Sequence, residues 1–80
     1  MKKNLLVEIA GWYGALAILA AYFLGSFGLL APTGFWYQAL NLTGAIGIII
    51  VAGYKKVYQS VALNVVWGII ALVAIVQIFV

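Results

Sequence analysis

The sequence predicts an all-α membrane protein, a bundle of three transmembrane helices with its N-terminus in the cytoplasm and its C-terminus outside. Three observations carry this. Of 80 residues, 69% are hydrophobic and 6% charged, whereas about a quarter of the residues of a soluble domain are charged. A water-soluble core this small leaves most of that apolar surface uncovered, and lipid covers it instead. The apolar residues also fall into three stretches, at about 5–25, 34–53 and 59–79, each close to the ~20 residues a helix needs to cross ~30 Å of hydrocarbon. Finally, Lys2, Lys3, Lys55 and Lys56 all fall at one end of an up-down-up arrangement, and the positive-inside rule places that end in the cytoplasm. The whole chain, 1–80, reads as one integral membrane domain.

The first stretch follows a basic start, which is also the layout of a secretory signal. Its run is longer than a typical signal core, Glu8 interrupts its beginning, and Ala20 to Gly25 offers a poor cleavage site, so an uncleaved helix is expected. Ala10, Gly14, Ala17, Ala21 and Gly25 recur at steps of four, three, four and four. That aligns small residues on one face, a surface for close helix packing; the alternative is a groove lined by small residues through which a solute passes. Glu8 also has two readings. A carboxylate in lipid is by default a proton carrier or cation site, but the lysines at the same end favour an interfacial ion pair with Lys55 or Lys56.

The first break, GSFGLLAPTG, carries the turn and helix-end residues Gly25, Gly28, Pro32 and Gly34, with Pro32 and Thr33 suited to starting the next helix. In the second helix Gln38, Asn41, Gly44 and Gly47 recur every third residue, which reads as one stripe with amides in its outer half and glycines in its middle. A tight charged turn, GYKKVYQ, follows. The third stretch, Ser60 to Val80, has no ionisable side chain but places Ser60, Asn64, Gly68 and Ala71 on one face. Two amide-bearing faces on antiparallel helices point to a shared interior. The amides serve either as interhelical hydrogen bonds, worth about 0.6 kcal/mol each, or as the lining of a polar path or pocket. Phe27, Phe35, Trp36 and Tyr37 mark the outer interface and Tyr54 and Tyr58 the inner one, as aromatic belts do. Gln77 reads as an interfacial amide.

Composition removes whole classes of chemistry. The chain has no cysteine, no histidine and a single acid, Glu8, so thiolate and imidazole metal sites, disulfides, cysteine nucleophiles and carboxylate pairs all lack their parts. No enzyme activity, metal or cofactor is expected. A net charge of +3 from four lysines is too sparse for nucleic acid, which needs a broad basic face.

The motifs GWxGAxxxxxAY (Gly11 to Tyr22), YQxxNxxGAxG (Tyr37 to Gly47), a tyrosine-containing turn with Tyr54 or Tyr58, and SVxLNVVW (Ser60 to Trp67) resemble a group of small, mostly uncharacterised bacterial three-helix membrane proteins. More distantly the layout is similar to the SemiSWEET sugar transporters of the PQ-loop (MtN3-like) superfamily, three-helix half-transporters that dimerise around a central route. That resemblance implies a substrate-site role for Asn64 and a sugar-stacking role for Trp67 or an aromatic near it. The proline-glutamine pair of those proteins is Leu24 and Gly25 here.

The expectation is therefore a protein integral to the bacterial cytoplasmic (inner) membrane. It acts as a homodimeric, half-transporter-like assembly in which Asn64, Trp67, Asn41 and Gln38 line a route for a small neutral solute. The helices pack through Gly14, Ala17, Ala21, Gly44, Gly47 and Gly68. The alternative is a non-catalytic structural or accessory subunit of a larger membrane complex.

Overall fold

A computed structural model describes residues 4–80 as three α-helices, α1 (Leu5–Ser26), α2 (Phe35–Tyr54) and α3 (Tyr58–Ile78). Lys2 and Lys3, half of the lysine asymmetry, lie outside the described residues. All three helices are long and apolar enough to cross a membrane. With 22, 20 and 21 residues rising about 1.5 Å each, they span roughly 30 Å apiece.

Local chemistry sets the helix ends. Asn4 caps α1, its side chain accepting from the Val7 N–H at 3.3 Å, and Glu8 in the first turn complements the helix dipole. Pro32 and Thr33 do not start α2, as their residue types suggest, but build the turn before it. The Gly34 N–H donates to the Ala31 carbonyl at 2.9 Å, with Pro32 in the second position of the turn, where its fixed φ fits; Gly34 then becomes the N-cap.

α1 and α2 both end in the Schellman pattern, in which one residue takes a left-handed conformation so that the next N–H can reach back five residues. At the end of α1 that residue is Gly28 (φ 73°), and the Leu29 N–H bonds the Leu24 carbonyl at 2.9 Å. At the end of α2 it is Lys56 (φ 62°), and the Val57 N–H bonds the Ala52 carbonyl at 2.8 Å. A lysine there holds a conformation about 1–2 kcal/mol less favourable than it is for glycine. Lys56→Gly is expected to stabilise the fold by about 1 kcal/mol, raising the thermal midpoint in detergent. Lys56→Ala removes the same charge but keeps the strain, so equal midpoints for the two variants would contradict this reading.

α2 is the central helix. It packs against α1 on one flank and α3 on the other, and among the described residues α1 and α3 do not pack together. The buried residues are small or amides: Gly14, Ala17 and Ala21 on α1; Asn41, Gly44, Ala45, Gly47 and Ala52 on α2; Asn64, Gly68 and Ala71 on α3. Large apolar side chains such as Leu6, Leu19, Leu63 and Ile69 point outward. Lipid is as apolar as leucine, so helices here gain by close backbone approach rather than by hiding bulk.

The α1–α2 crossing is the tighter of the two. A Cβ built on Gly14 would stand 2.5 Å from the Gly44 carbonyl oxygen, and one on Gly44 would stand 2.8 Å from Ile18 Cγ1 and 3.0 Å from the Gly14 oxygen. Gly47 lies over the Ala10 carbonyl oxygen. Gly68 at the α2–α3 contact is looser, its nearest neighbours being Ala45 Cβ at 3.7 Å and Leu42 Cδ1 at 3.8 Å. The stripe read on α2 therefore divides. Each step of three residues rotates about 60° backward around a 3.6-residue helix, so Gln38 and Asn41 turn toward α3 while Gly44 and Gly47 turn toward α1.

Within the span of the helices a polar bond crosses the α1–α2 contact. Thr43 Oγ1 donates to the Ala39 carbonyl at 2.9 Å and lies 2.7 Å from the Tyr13 hydroxyl. With the Thr43 proton used within its own helix, Tyr13 is the donor across the gap.

Candidate functional site

Asn41 of α2 and Trp67 of α3 meet in the half of the molecule near the α1–α2 loop. Asn41 lies one turn beyond Tyr37, and its Nδ2 donates to the Tyr37 carbonyl at 2.9 Å. That fixes the amide with its oxygen toward α3, where the Trp67 indole N–H donates to Asn41 Oδ1 at 3.0 Å. An indole nitrogen is only ever a donor, so amide and ring orient each other without ambiguity. Asn41 is 6% exposed and Trp67 46%: the bond is sheltered while the indole flank stays open.

Beside this bond is an open groove of about 170 Å³, lined by Tyr37, Gln38, Asn41, Trp67, Ile70 and Ala71. Gln38 is held by its Nε2, which donates to the Pro32 carbonyl at 2.9 Å. The Tyr37 ring rests on α1 at Gly25, where an added Cβ would stand 2.6 Å from Tyr37 Cε2. The last small residue on the packing face of α1 thus supports one wall of a groove between the other two helices. Gln38 also lines a second groove, of about 260 Å³, at the loop end, with Thr33, Ala74, Gln77 and Ile78. The two grooves run from the loop end inward to the Asn41–Trp67 bond, with Gln38 at their junction.

The inner lining combines amides, the faces of Tyr37 and Trp67 and aliphatic side chains, and the loop-end lining combines amides, the Thr33 hydroxyl and aliphatic side chains, with no acid or lysine in either. Such a surface offers hydrogen bonds and ring faces to a neutral molecule and no charge compensation to an ion. The inner groove is smaller than the ~300–1,000 Å³ of a typical ligand pocket and open on one side.

Of the four expected lining residues, Gln38, Asn41 and Trp67 come together and Asn64 does not. Asn64 is 7% exposed and turned onto its own helix, its Nδ2 donating to the Ser60 carbonyl at 2.9 Å and lying 3.5 Å from Ser60 Oγ. Bonding to the carbonyl four residues back satisfies an amide donor without a neighbouring helix, and Asn64 sits about one turn, some 5 Å, further from the loop end than Trp67. Asn41 is the amide that bridges α2 and α3.

The expected packing residues Gly14, Ala17, Ala21, Gly44 and Gly47 serve the α1–α2 contact, and Gly68 serves α2–α3. Glu8 pairs with Lys55, Nζ to Oε2 at 3.0 Å, while Lys56 takes the left-handed turn position instead. Three participants escaped the sequence reading as site residues: Tyr37, read as an interfacial belt residue; Gln77, read as an interfacial amide; and Thr33, read as part of a helix start.

Fold and groove together define an all-helical protein of membrane-spanning dimensions whose polar cleft lies between two of its helices and carries no charge. Residues 7–80 match the model of an uncharacterised protein family, and the chain belongs to that family. No curated protein and no solved structure matches it, and nothing in these comparisons links it to the SemiSWEET or PQ-loop proteins.

Proposed function

We propose that the protein is a non-catalytic membrane protein that works as a homodimer and passes a small neutral solute, its grooves forming the half of the route nearer the loop end. The supporting observation is the convergence of Tyr37, Gln38, Asn41 and Trp67 on one uncharged groove that is open on the side a second copy would cover. A C2 partner presenting the same groove would double the lining and close it. In this reading the lysine end faces the bacterial cytoplasm, so the Gln77–Gln38 groove opens outward and the Asn41–Trp67 bond stands across the route as a constriction.

The test is uptake of a panel of neutral sugars and polyols into liposomes. Wild-type flux above empty liposomes is expected, with at least a tenfold loss in Asn41→Ala and in Trp67→Ala and little change in Asn64→Ala, whose amide lies outside the groove. No flux for any solute sinks the proposal. A second reading, a structural subunit of a larger membrane complex, is favoured by the Asn41–Trp67 bond itself, because a sheltered hydrogen bond between helices is also what a purely packing role requires. Constant-stoichiometry co-purification with a larger complex, together with absent flux, would select it.

A further inference from the structure

A third groove, of about 280 Å³, lies at the opposite end of the molecule between α1 and α2, lined by Glu8, Gly11, Trp12, Ala15, Val51 and Lys55. We propose that it is a binding site for a zwitterionic aminophospholipid, one whose headgroup carries a phosphate and a primary ammonium, as phosphatidylethanolamine does.

The groove changes character along its length. At the helix ends stands the Glu8–Lys55 pair, with the Glu8 side chain 23% and the Lys55 side chain 50% exposed. Further along, the walls are Gly11, Ala15 and Val51. The floor is closed, because the helices touch there: a Cβ on Gly11 would stand 2.8 Å from Val51 Cβ. Trp12 is 67% exposed on the rim, one helical turn beyond Glu8 on the same side of α1. A charged head above an apolar trough is the shape of a phospholipid and of few soluble metabolites.

Charge complementarity selects the head. Among the described residues the ion pair engages Glu8 Oε2 and one hydrogen of the Lys55 ammonium, leaving Glu8 Oε1 as an acceptor and two ammonium hydrogens as donors. A phosphate accepting from Lys55 and a ligand ammonium donating to Glu8 Oε1 would complete a ring of four alternating charges, each at charge-assisted hydrogen-bond distance from the next. A choline head has no N–H for Glu8, and an anionic phosphatidylglycerol brings nothing to offset the carboxylate. A full-length lipid is required because the trough is apolar. This site is distinct from the solute grooves and does not depend on the function proposed for them.

The experiment is native mass spectrometry of the full chain released from detergent with equal amounts of phosphatidylethanolamine, phosphatidylcholine and phosphatidylglycerol of identical acyl chains. At least fivefold preferential retention of phosphatidylethanolamine is expected. The double variant Glu8→Gln/Lys55→Gln keeps two hydrogen-bonding side chains over an unchanged trough and is expected to retain all three lipids equally, with wild-type helicity by circular dichroism. The charge swap Glu8→Lys/Lys55→Glu preserves the alternation and is expected to keep the preference. Glycerophosphoethanolamine, which has the head without chains, is expected not to compete. Equal retention of the three lipids by the wild type, or a preference that survives in the neutral pair, overturns the proposal, as does effective competition by the soluble head.

Discussion

Gly47→Ala is expected to force α1 away from α2 and to lower stability by about 2 kcal/mol or more, in the range of overpacked cores. The added methyl would meet the Ala10 carbonyl oxygen, the Gly14 Cα at 3.1 Å and the Gly14 nitrogen at 3.2 Å. All three are backbone atoms, so no rotamer change relieves the clash and one helix must shift bodily. Gly68→Ala is the matched control. Its methyl finds Ala45 and Leu42 at ordinary contact distance, so the higher helix propensity of alanine, about 1 kcal/mol in a helix interior, comes through as a gain. Titration with sodium dodecyl sulfate followed by circular dichroism should move the two midpoints in opposite directions, and a shared direction would refute the tight-crossing account.

Removing the Asn41 amide should have the second largest effect. Asn41→Leu leaves the Trp67 N–H in the α2–α3 contact without its acceptor, a loss of about 1 kcal/mol for a partly sheltered donor. Trp67→Phe removes the donor in turn. In the double variant nothing is stranded, and the combined loss should fall short of the sum by a coupling of about 0.6 kcal/mol, with about 1.7 as the upper bound for such bonds in membranes. Strictly additive losses would mean that the 3.0 Å bond contributes nothing specific to holding α3.

The three helices were legible because their signal is long and one-sided: some twenty apolar residues between glycine, proline and lysine punctuation. The small-residue face of α1 was legible too, since steps of three and four keep residues on one side of a helix, and Gly14, Ala17 and Ala21 are its buried residues. Constant steps of three on α2 do not, and Gln38 and Asn41 parted from Gly44 and Gly47 for that geometric reason. The Glu8–Lys55 pair could be anticipated because one acid and several lysines shared an end. Which lysine it would be could not, since that depended on Lys56 taking the left-handed position, which a lysine seldom does.

Asn64 illustrates a different limit. Its burial could be read from its place in an apolar helix, but an amide four residues after a serine has a local acceptor within reach, and no pattern in the sequence says whether it will use that or a neighbour. Tyr13 and Thr43 were obscured for a similar reason. No spacing in the sequence links residues thirty apart, and only the helix crossing brings them to 2.7 Å.

The central position of α2 has an energetic consequence. With no contact between α1 and α3, the stability of the chain is close to a sum of two nearest-neighbour terms, like that of a short linear array. Either outer helix can then detach while the other stays docked. Substitutions at Gly14 and at Gly68, which share no partner, should combine without interaction. Amide exchange in α3, held by its looser seam, should outpace exchange in α1 through a partial opening that leaves the α1–α2 hairpin intact.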